Sequence, residues 1–125
     1  MYVLEQSSPL LTRLPGIAHA TWASQAEGLQ QLSVWRQRMA PGTATPPHVH
    51  DCDEVVLCLA GSGELHVDGQ TLAFDASRLL VLPRGLPHQI LNTGSEPLET
   101  LAVFGQTPTP TRWPDGRELA LPWHS

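Results

Sequence analysis

The sequence predicts an all-β fold, a small barrel or sandwich of short strands. Three observations carry that expectation. Turn residues punctuate the chain at short intervals: Pro41-Gly42, Gly61-Ser62-Gly63, Asp68-Gly69, Pro83 to Pro87 and Thr93 to Pro97. Between the turns lie runs of four to seven residues, several of which alternate apolar and polar side chains. No segment carries a convincing helical period.

Residues 1–18 hold Pro9, Pro15 and Gly16 among apolar residues and read as irregular with room for a short edge strand, within an N-terminal arm that runs to residue 28. Leu29 to Ala40 reads as a strand. Ser33, Trp35, Gln37 and Met39 share one face of it, and Val34, Arg36 and Arg38 the other. A second strand starts at Glu54 and puts Val56 and Cys58 on the face of the carboxylate. Glu64 to Val67 and Gln70 to Phe74 are joined at Asp68-Gly69, a dipeptide that suits a tight hairpin turn. Leu79 to Leu82 is apolar throughout and reads as a buried strand. His88, Ile90 and Asn92 then share one face at period two, and Leu98 to Gly105 is the last clear strand. Residues 106–125 contain four of the twelve prolines and two of the four tryptophans, which argues against regular structure. Trp113, Leu119, Leu121 and Trp123 still need apolar cover. The tail is therefore expected to pack across the barrel, with Trp113 and Trp123 as candidates for a cover over its mouth. The whole is expected to be one domain, with an arm (1–28), a barrel (29–105) and a tail (106–125).

Composition narrows the function classes. Hydrophobic residues make up 41% and charged residues 15%, as in a compact globular chain. A net charge of −5 argues against nucleic acid and anionic membrane surfaces as partners. The longest apolar run, Val55 to Ala60, is too short to span a bilayer. The start, MYVLEQSSPLL, has no basic region before an apolar segment, so the expected location is cytoplasmic. Cys52 and Cys58 are not expected to form a disulfide framework.

The chemistry concentrates between Gly42 and Gly61. His48 and His50 stand at i and i+2, so on an extended chain both rings point to the same side. Asp51, Cys52 and Asp53 allow a turn, and Glu54 on the returning strand can close on the same point. Two imidazoles and a carboxylate so placed suit a metal ion, and His88 is the best candidate for a fourth ligand. Cys52 is a candidate fifth ligand or redox handle, although a cysteine in such a turn usually points away. His66 reads as surface. His19 and His124 lie in irregular regions and carry no signal.

Two spaced patterns give these residues a family context. Gly42, His48, His50, Glu54 and Gly61 fill every position of the first motif of the cupin family. Pro83, Gly85, His88 and Asn92 fill the second, with Ser77 in place of its leading glycine. The resemblance implies a double-stranded β-helix (jelly-roll) barrel, metal ligation by His48, His50, Glu54 and His88, and a homodimer. The run Thr45 to Val55, TPPHVHDCDEV, is also similar to the T-P-x-H-x-H-S-C-E-E-V box of the plant auxin-binding proteins, cupins that hold zinc and receive a carboxylate-bearing aromatic ligand. Nitrogen and carboxylate ligands suit one divalent ion, Fe, Mn, Ni, Zn or Co. By strand parity, Val56, Cys58, Ile90 and Asn92 would line the interior beside the metal, with Trp35, Gln37 and Met39 from the earlier strand. The expected ligand is a small organic acid or enol. The expected function is that of a metal-dependent enzyme, oxygenase-type (a dioxygenase), with isomerase or lyase chemistry as the catalytic alternative. A non-catalytic binding or sensor cupin is the alternative outside catalysis.

Overall fold

A computed structural model describes residues 2–125. Eleven strands follow one another along the described residues: β1 (Leu10–Leu11), β2 (Ile17–Ala23), β3 (Ser33–Met39), β4 (Val49–His50), β5 (Glu54–Ala60), β6 (Ser62–Val67), β7 (Gln70–Asp75), β8 (Leu79–Leu82), β9 (His88–Leu91), β10 (Leu98–Phe104) and β11 (Thr111–Arg112). The helical content among them is a single 3-10 turn at Gln25–Glu27. A six-stranded sheet in the order β1-β2-β3-β10-β5-β8 faces a three-stranded sheet β7-β6-β9 and a two-stranded one, β11-β4. All pairings are antiparallel. The result is an all-β jelly roll.

Strand alternation builds the core. On β10, Leu98, Thr100, Ala102 and Phe104 are buried and the residues between them are half-buried. Glu54, Val56 and Cys58 on β5 face the same interior, as do Ser33, Trp35 and Met39 on β3. Phe104, Met39, Leu98 and Leu82 are sealed almost completely from solvent. Truncating any of them to alanine costs about 2–5 kcal/mol.

The hairpin at Asp68-Gly69 forms as expected. Both residues have positive φ, 52° and 69°, and Val67 pairs with Gln70 across the turn. Gly61, at φ 86°, must be glycine on a second ground: a Cβ there would lie 2.5 Å from the Pro97 carbonyl oxygen. Ser77 is tolerated where the family motif has glycine. Its backbone needs no positive φ, and its N–H and hydroxyl both donate to Asp75 Oδ1, at 2.9 and 2.6 Å.

Four expectations need correction. The segment 1–28 is not an irregular arm throughout: Ile17–Ala23 forms β2, a full strand in the large sheet, with six residues paired to β3. The strand expected from Leu29 begins only at Ser33, because the 3-10 turn and its left-handed Gly28 cap end just before it. Leu79–Leu82 is not buried on both faces. As an edge strand it buries Leu80 and Leu82 but leaves Leu79 54% and Val81 63% exposed. The tail is not wholly irregular, since Thr111–Arg112 pairs with β4. No helix among the described residues is long and apolar enough to cross a membrane.

Candidate metal centre

Two strands deliver the histidines. His48 immediately precedes β4, His50 closes it, and His88 opens β9. The His48 and His88 backbones bond each other in both directions, at 3.0 and 2.9 Å, so the two rings start from one ladder rung. The turn after His50 is pinned from outside: Arg84 N–H donates to Asp53 Oδ1 at 2.8 Å, and Arg112 pairs with Asp51 at 3.1 Å. One ring nitrogen from each histidine lies within 4.8 Å of the others, and all three residues are buried.

Each imidazole is oriented by its other nitrogen. Nδ1 of His48 lies 2.7 Å from the Pro46 carbonyl, that of His50 3.3 Å from Pro110, and that of His88 2.9 Å from Leu86. A carbonyl oxygen only accepts, so each Nδ1 carries the hydrogen and donates it. Each Nε2 is then left with a lone pair. This is the arrangement that fixes tautomer and ring angle in metal-bound histidines. The partner of His50 comes from the tail beside β11, a segment whose proline count alone argues against regular structure.

Glu54 lies among these rings. Its Oε1 is 3.3 Å from His88 Nε2 and 3.6 Å from His50 Nε2. Glu54 Oε1 and His88 Nε2 are both buried without a hydrogen-bond partner. Two buried acceptors 3.3 Å apart call for a cation between them, a metal ion or, in the metal-free site, the proton that Glu54 holds on His88. Burial raises the affinity of Glu54 for a proton, but His88, His50 and His48 together outweigh it and hold the carboxyl below its usual range. His48 is pushed down to about 3, by burial first and by the His88 and His50 charges next. Burial also lowers His50, against the pull of Glu54. For His88, burial is outweighed by the adjacent Glu54 carboxylate, and the pKa rises. Three neutral imidazoles and one carboxylate fit a divalent ion and leave it net positive charge.

A narrow cavity of about 40 Å³ opens beside His48 and His50. Of the seven pocket candidates, Trp35 and Gln37 line it. The other five do not. Met39, Val56, Cys58 and Ile90 are consumed by the packed core. Asn92 is buried as a structural tie: its Nδ2 donates to the Met39 and Glu96 carbonyls and its Oδ1 accepts from Gly94 N. Parity predicted the inward face correctly but not how far side chains from the two sheets fill it. Cys52 is a core residue and stands outside the histidine cluster.

The tail supplies part of the wall. Leu119, Leu121 and Trp123 line the cavity, whereas Trp113 is half-buried outside it, with the Arg117 guanidinium 6.0 Å from its ring centre. Trp123 stacks flat on His19, centroids 3.8 Å apart and planes 5° apart, and meets Trp35 edge-on. Both His19 nitrogens are engaged, one by Gln37 Nε2 at 2.9 Å and the other by Thr21 Oγ1 at 2.8 Å. Burial pushes its pKa down to about 4. His19 thus backs the cavity's aromatic wall, packed against the lining residues Trp35 and Trp123, although it lies in a stretch expected to be irregular and to carry no signal. The alternation of Ile17, His19 and Thr21 was the available signal, obscured by the prolines before it. The Trp123 indole N–H is buried without an acceptor, a penalty of about 1–3 kcal/mol.

A jelly roll with three converging histidines between its sheets defines a class, the metal-binding cupins. The chain belongs to the cupin family: the model of the cupin domain matches residues 35–104. It is 36% identical over 104 residues to Auxin-binding protein 1 of Arabidopsis thaliana, covering 75% of this chain and 52% of that protein. The chain thus spans about half the length of the curated relatives it matches. Among solved structures, the fold is similar to the polyketide cyclase RemF from Streptomyces resistomycificus (TM-score 0.74, 22% identity, 99% of this chain and 89% of that one) and to an oxalate oxidase (TM-score 0.77, 23% identity, 90% and 62%).

Proposed function

We propose that the protein is a metal-dependent enzyme of oxygenase type that acts on a small organic acid or enol, with one divalent ion held by His48, His50, His88 and Glu54. The observation that carries this reading is the set of three imidazoles whose Nδ1–H groups are spent on backbone carbonyls while their Nε2 atoms converge beside Glu54. A divalent ion there supplies a Lewis acid for a ligand oxygen and, if redox-active, electrons for chemistry with dioxygen. The chain's own residues bind and orient. Ile17, Trp35, Leu121 and Trp123 exclude water, and Gln37, Thr45 and Thr111 offer the polar contacts. Among the described residues the cavity wall holds no lysine, arginine or carboxylate, so a ligand's negative charge has to be met by the metal centre. That favours one carboxylate or enolate on an apolar body over a phosphorylated sugar. Oxygen uptake by iron-loaded protein, measured against a library of aromatic and aliphatic enols and acids, tests the reading. Turnover that disappears in His50→Ala supports it. Tight binding of an acid without turnover under any metal favours a second reading, a non-catalytic receptor, for which the relation to Auxin-binding protein 1 speaks.

The same reading places the protein in the cytoplasm, in keeping with Cys52 and Cys58 both being free thiols. We also propose that the protein is a homodimer. Strand register aligns Val81, Val55, Val103 and Val34 in one row across the outward face of the large sheet, with Leu79, Leu57 and Leu101 in the next. An outward sheet face is ordinarily polar, so an apolar one is suited to a second copy. Light scattering should give twice the chain mass for the wild type and the chain mass for Val81→Glu. A wild-type monomer at micromolar concentration removes the dimer.

A further inference from the structure

We infer that the tail strand β11 sets one imidazole of the metal centre: Thr111 and the Pro110 carbonyl are positioning groups for His50, so that tail docking and metal binding reinforce each other. The inference deepens the metal-centred reading and rests on it for the ion. It starts from a difference among the three histidines. His48 and His88 each find an orienting carbonyl two residues back, Pro46 at 2.7 Å and Leu86 at 2.9 Å. Two residues before His50 stands His48, and its carbonyl is already taken by His88 N at 2.9 Å. His50 therefore turns to the tail.

The tail offers a pair of acceptors. Thr111 stands opposite His50 in the register of β11 with β4 and is itself buried. Its Oγ1 lies 3.4 Å from His50 Nδ1, and the Pro110 carbonyl oxygen 3.3 Å. One N–H is shared between two oxygens, each just beyond the usual range of about 2.7–3.2 Å. Packing does not replace this tie. Phe104 and Trp35 meet the His50 ring at steep angles, 68° and 78°, with centroids 4.9 and 6.0 Å away. Such contacts hold the plane of a ring but not its edge. A half-turn about the Cβ–Cγ bond exchanges Nδ1 with Cδ2 and takes Nε2 away from the ion with little change in shape. A partner for Nδ1–H distinguishes the two settings.

The coupling follows from the same bond. An ion on Nε2 draws electron density from the ring and makes Nδ1–H a stronger donor, so loaded protein holds the tail more tightly. By linkage, the docked tail holds the ion more tightly by the same factor. Arg112, paired with Asp51 at 3.1 Å, clasps β11 one residue further on. Leu119 N, bonded to the Thr111 carbonyl, carries the strand's position into the segment that walls the cavity.

Zinc affinity, read by competition with chelators, is the first measure. Thr111→Val keeps the shape and the β-branch but loses the oxygen, and should hold zinc about tenfold more weakly. Thr111→Ser, which restores the oxygen, should recover most of the affinity. Thr109→Val removes another buried tail hydroxyl, one that bonds the Gln106 carbonyl, and should lower the melting temperature with zinc affinity unchanged. Hydrogen exchange in wild type is the second measure. Zinc should slow the Leu119 and Trp113 amides, which bond the Thr111 and Arg117 carbonyls, and leave β7 alone. Zinc affinity that is unchanged in Thr111→Val, or that falls equally in Thr109→Val, overturns the proposal, as do tail amides that exchange alike with and without zinc. If wild type takes up no metal, the metal reading falls, and nitrogen-15 spectra of metal-free protein decide the positioning role. His50 protonated on Nδ1 in wild type and mixed between tautomers in Thr111→Val upholds it. The same tautomer in both overturns it.

Discussion

The protein holds two kinds of sequestered imidazole, and their difference separates a metal ligand from a wall. Burial does not distinguish them: His48 is pushed down to about 3 and His19 to about 4, so both stay neutral near pH 7. Nitrogen bookkeeping does. His48, His50 and His88 each give one nitrogen to a backbone carbonyl and leave the other open. His19 has both nitrogens on side chains and offers only its face, which Trp123 covers. A buried imidazole can hold an ion only through a nitrogen that nothing else uses.

Removing a ring from the first group should have the largest effect. His88→Ala is expected to weaken metal binding by at least about 100-fold, beyond the roughly tenfold to 100-fold typical of outer partners. Competition against a graded series of chelators measures it. Equal retention by wild type and variant would erase the distinction drawn here. His19→Ala should instead act on stability. It removes the Trp123 stack and the partner of Gln37 Nε2, while Thr21 keeps the Ser125 hydroxyl, at a cost of about 1–3 kcal/mol. The melting temperature should fall by several degrees while metal content is unchanged.

The first group was legible in sequence because its information is local. His48, His50 and Glu54 lie within seven residues, and strand parity places them on one side. The orienting groups Pro46 and Leu86 sit two residues before the histidines they hold, so they travel with the motif. The second group is built from three distant pieces: His19 on β2, Trp35 and Gln37 on β3, and Trp123 from the tail. No spacing rule connects them. The same holds for Pro110, which reaches His50 only because Thr111–Arg112 pairs with β4. Parity finds the inward faces but not which inward residues packing consumes, and Met39, Val56, Cys58 and Ile90 belong to the core rather than to the pocket.

Acid should sharpen what the two groups share. In metal-free protein the folded pKa values of His48 and His19 lie below the unfolded value of 6.5. The unfolded chain binds protons first, so the stability from these rings is complete above pH 6.5 and is lost as pH falls toward 4 and then 3. His88 has the opposite sign: its raised pKa adds stability that is lost as pH rises past it. Urea melts of metal-free protein between pH 7 and pH 4 should show a steady fall, shallower in His19→Gln. The smallest effect belongs to Trp113, which lies outside the cavity. Trp113→Ala removes an exposed contact with Arg117 of about 0.5–1 kcal/mol. It should leave metal and ligand affinity untouched, whereas Trp123→Ala removes part of the cavity wall and should change ligand affinity.

X-ray absorption at the edge of the bound metal tests the division between the two groups most directly. Wild type and His19→Ala should both show three imidazole nitrogens and a carboxylate oxygen at about 2.0–2.2 Å, and His50→Ala one imidazole fewer. A wild-type spectrum without imidazole ligands, or an imidazole count that falls in His19→Ala and not in His50→Ala, would contradict the account.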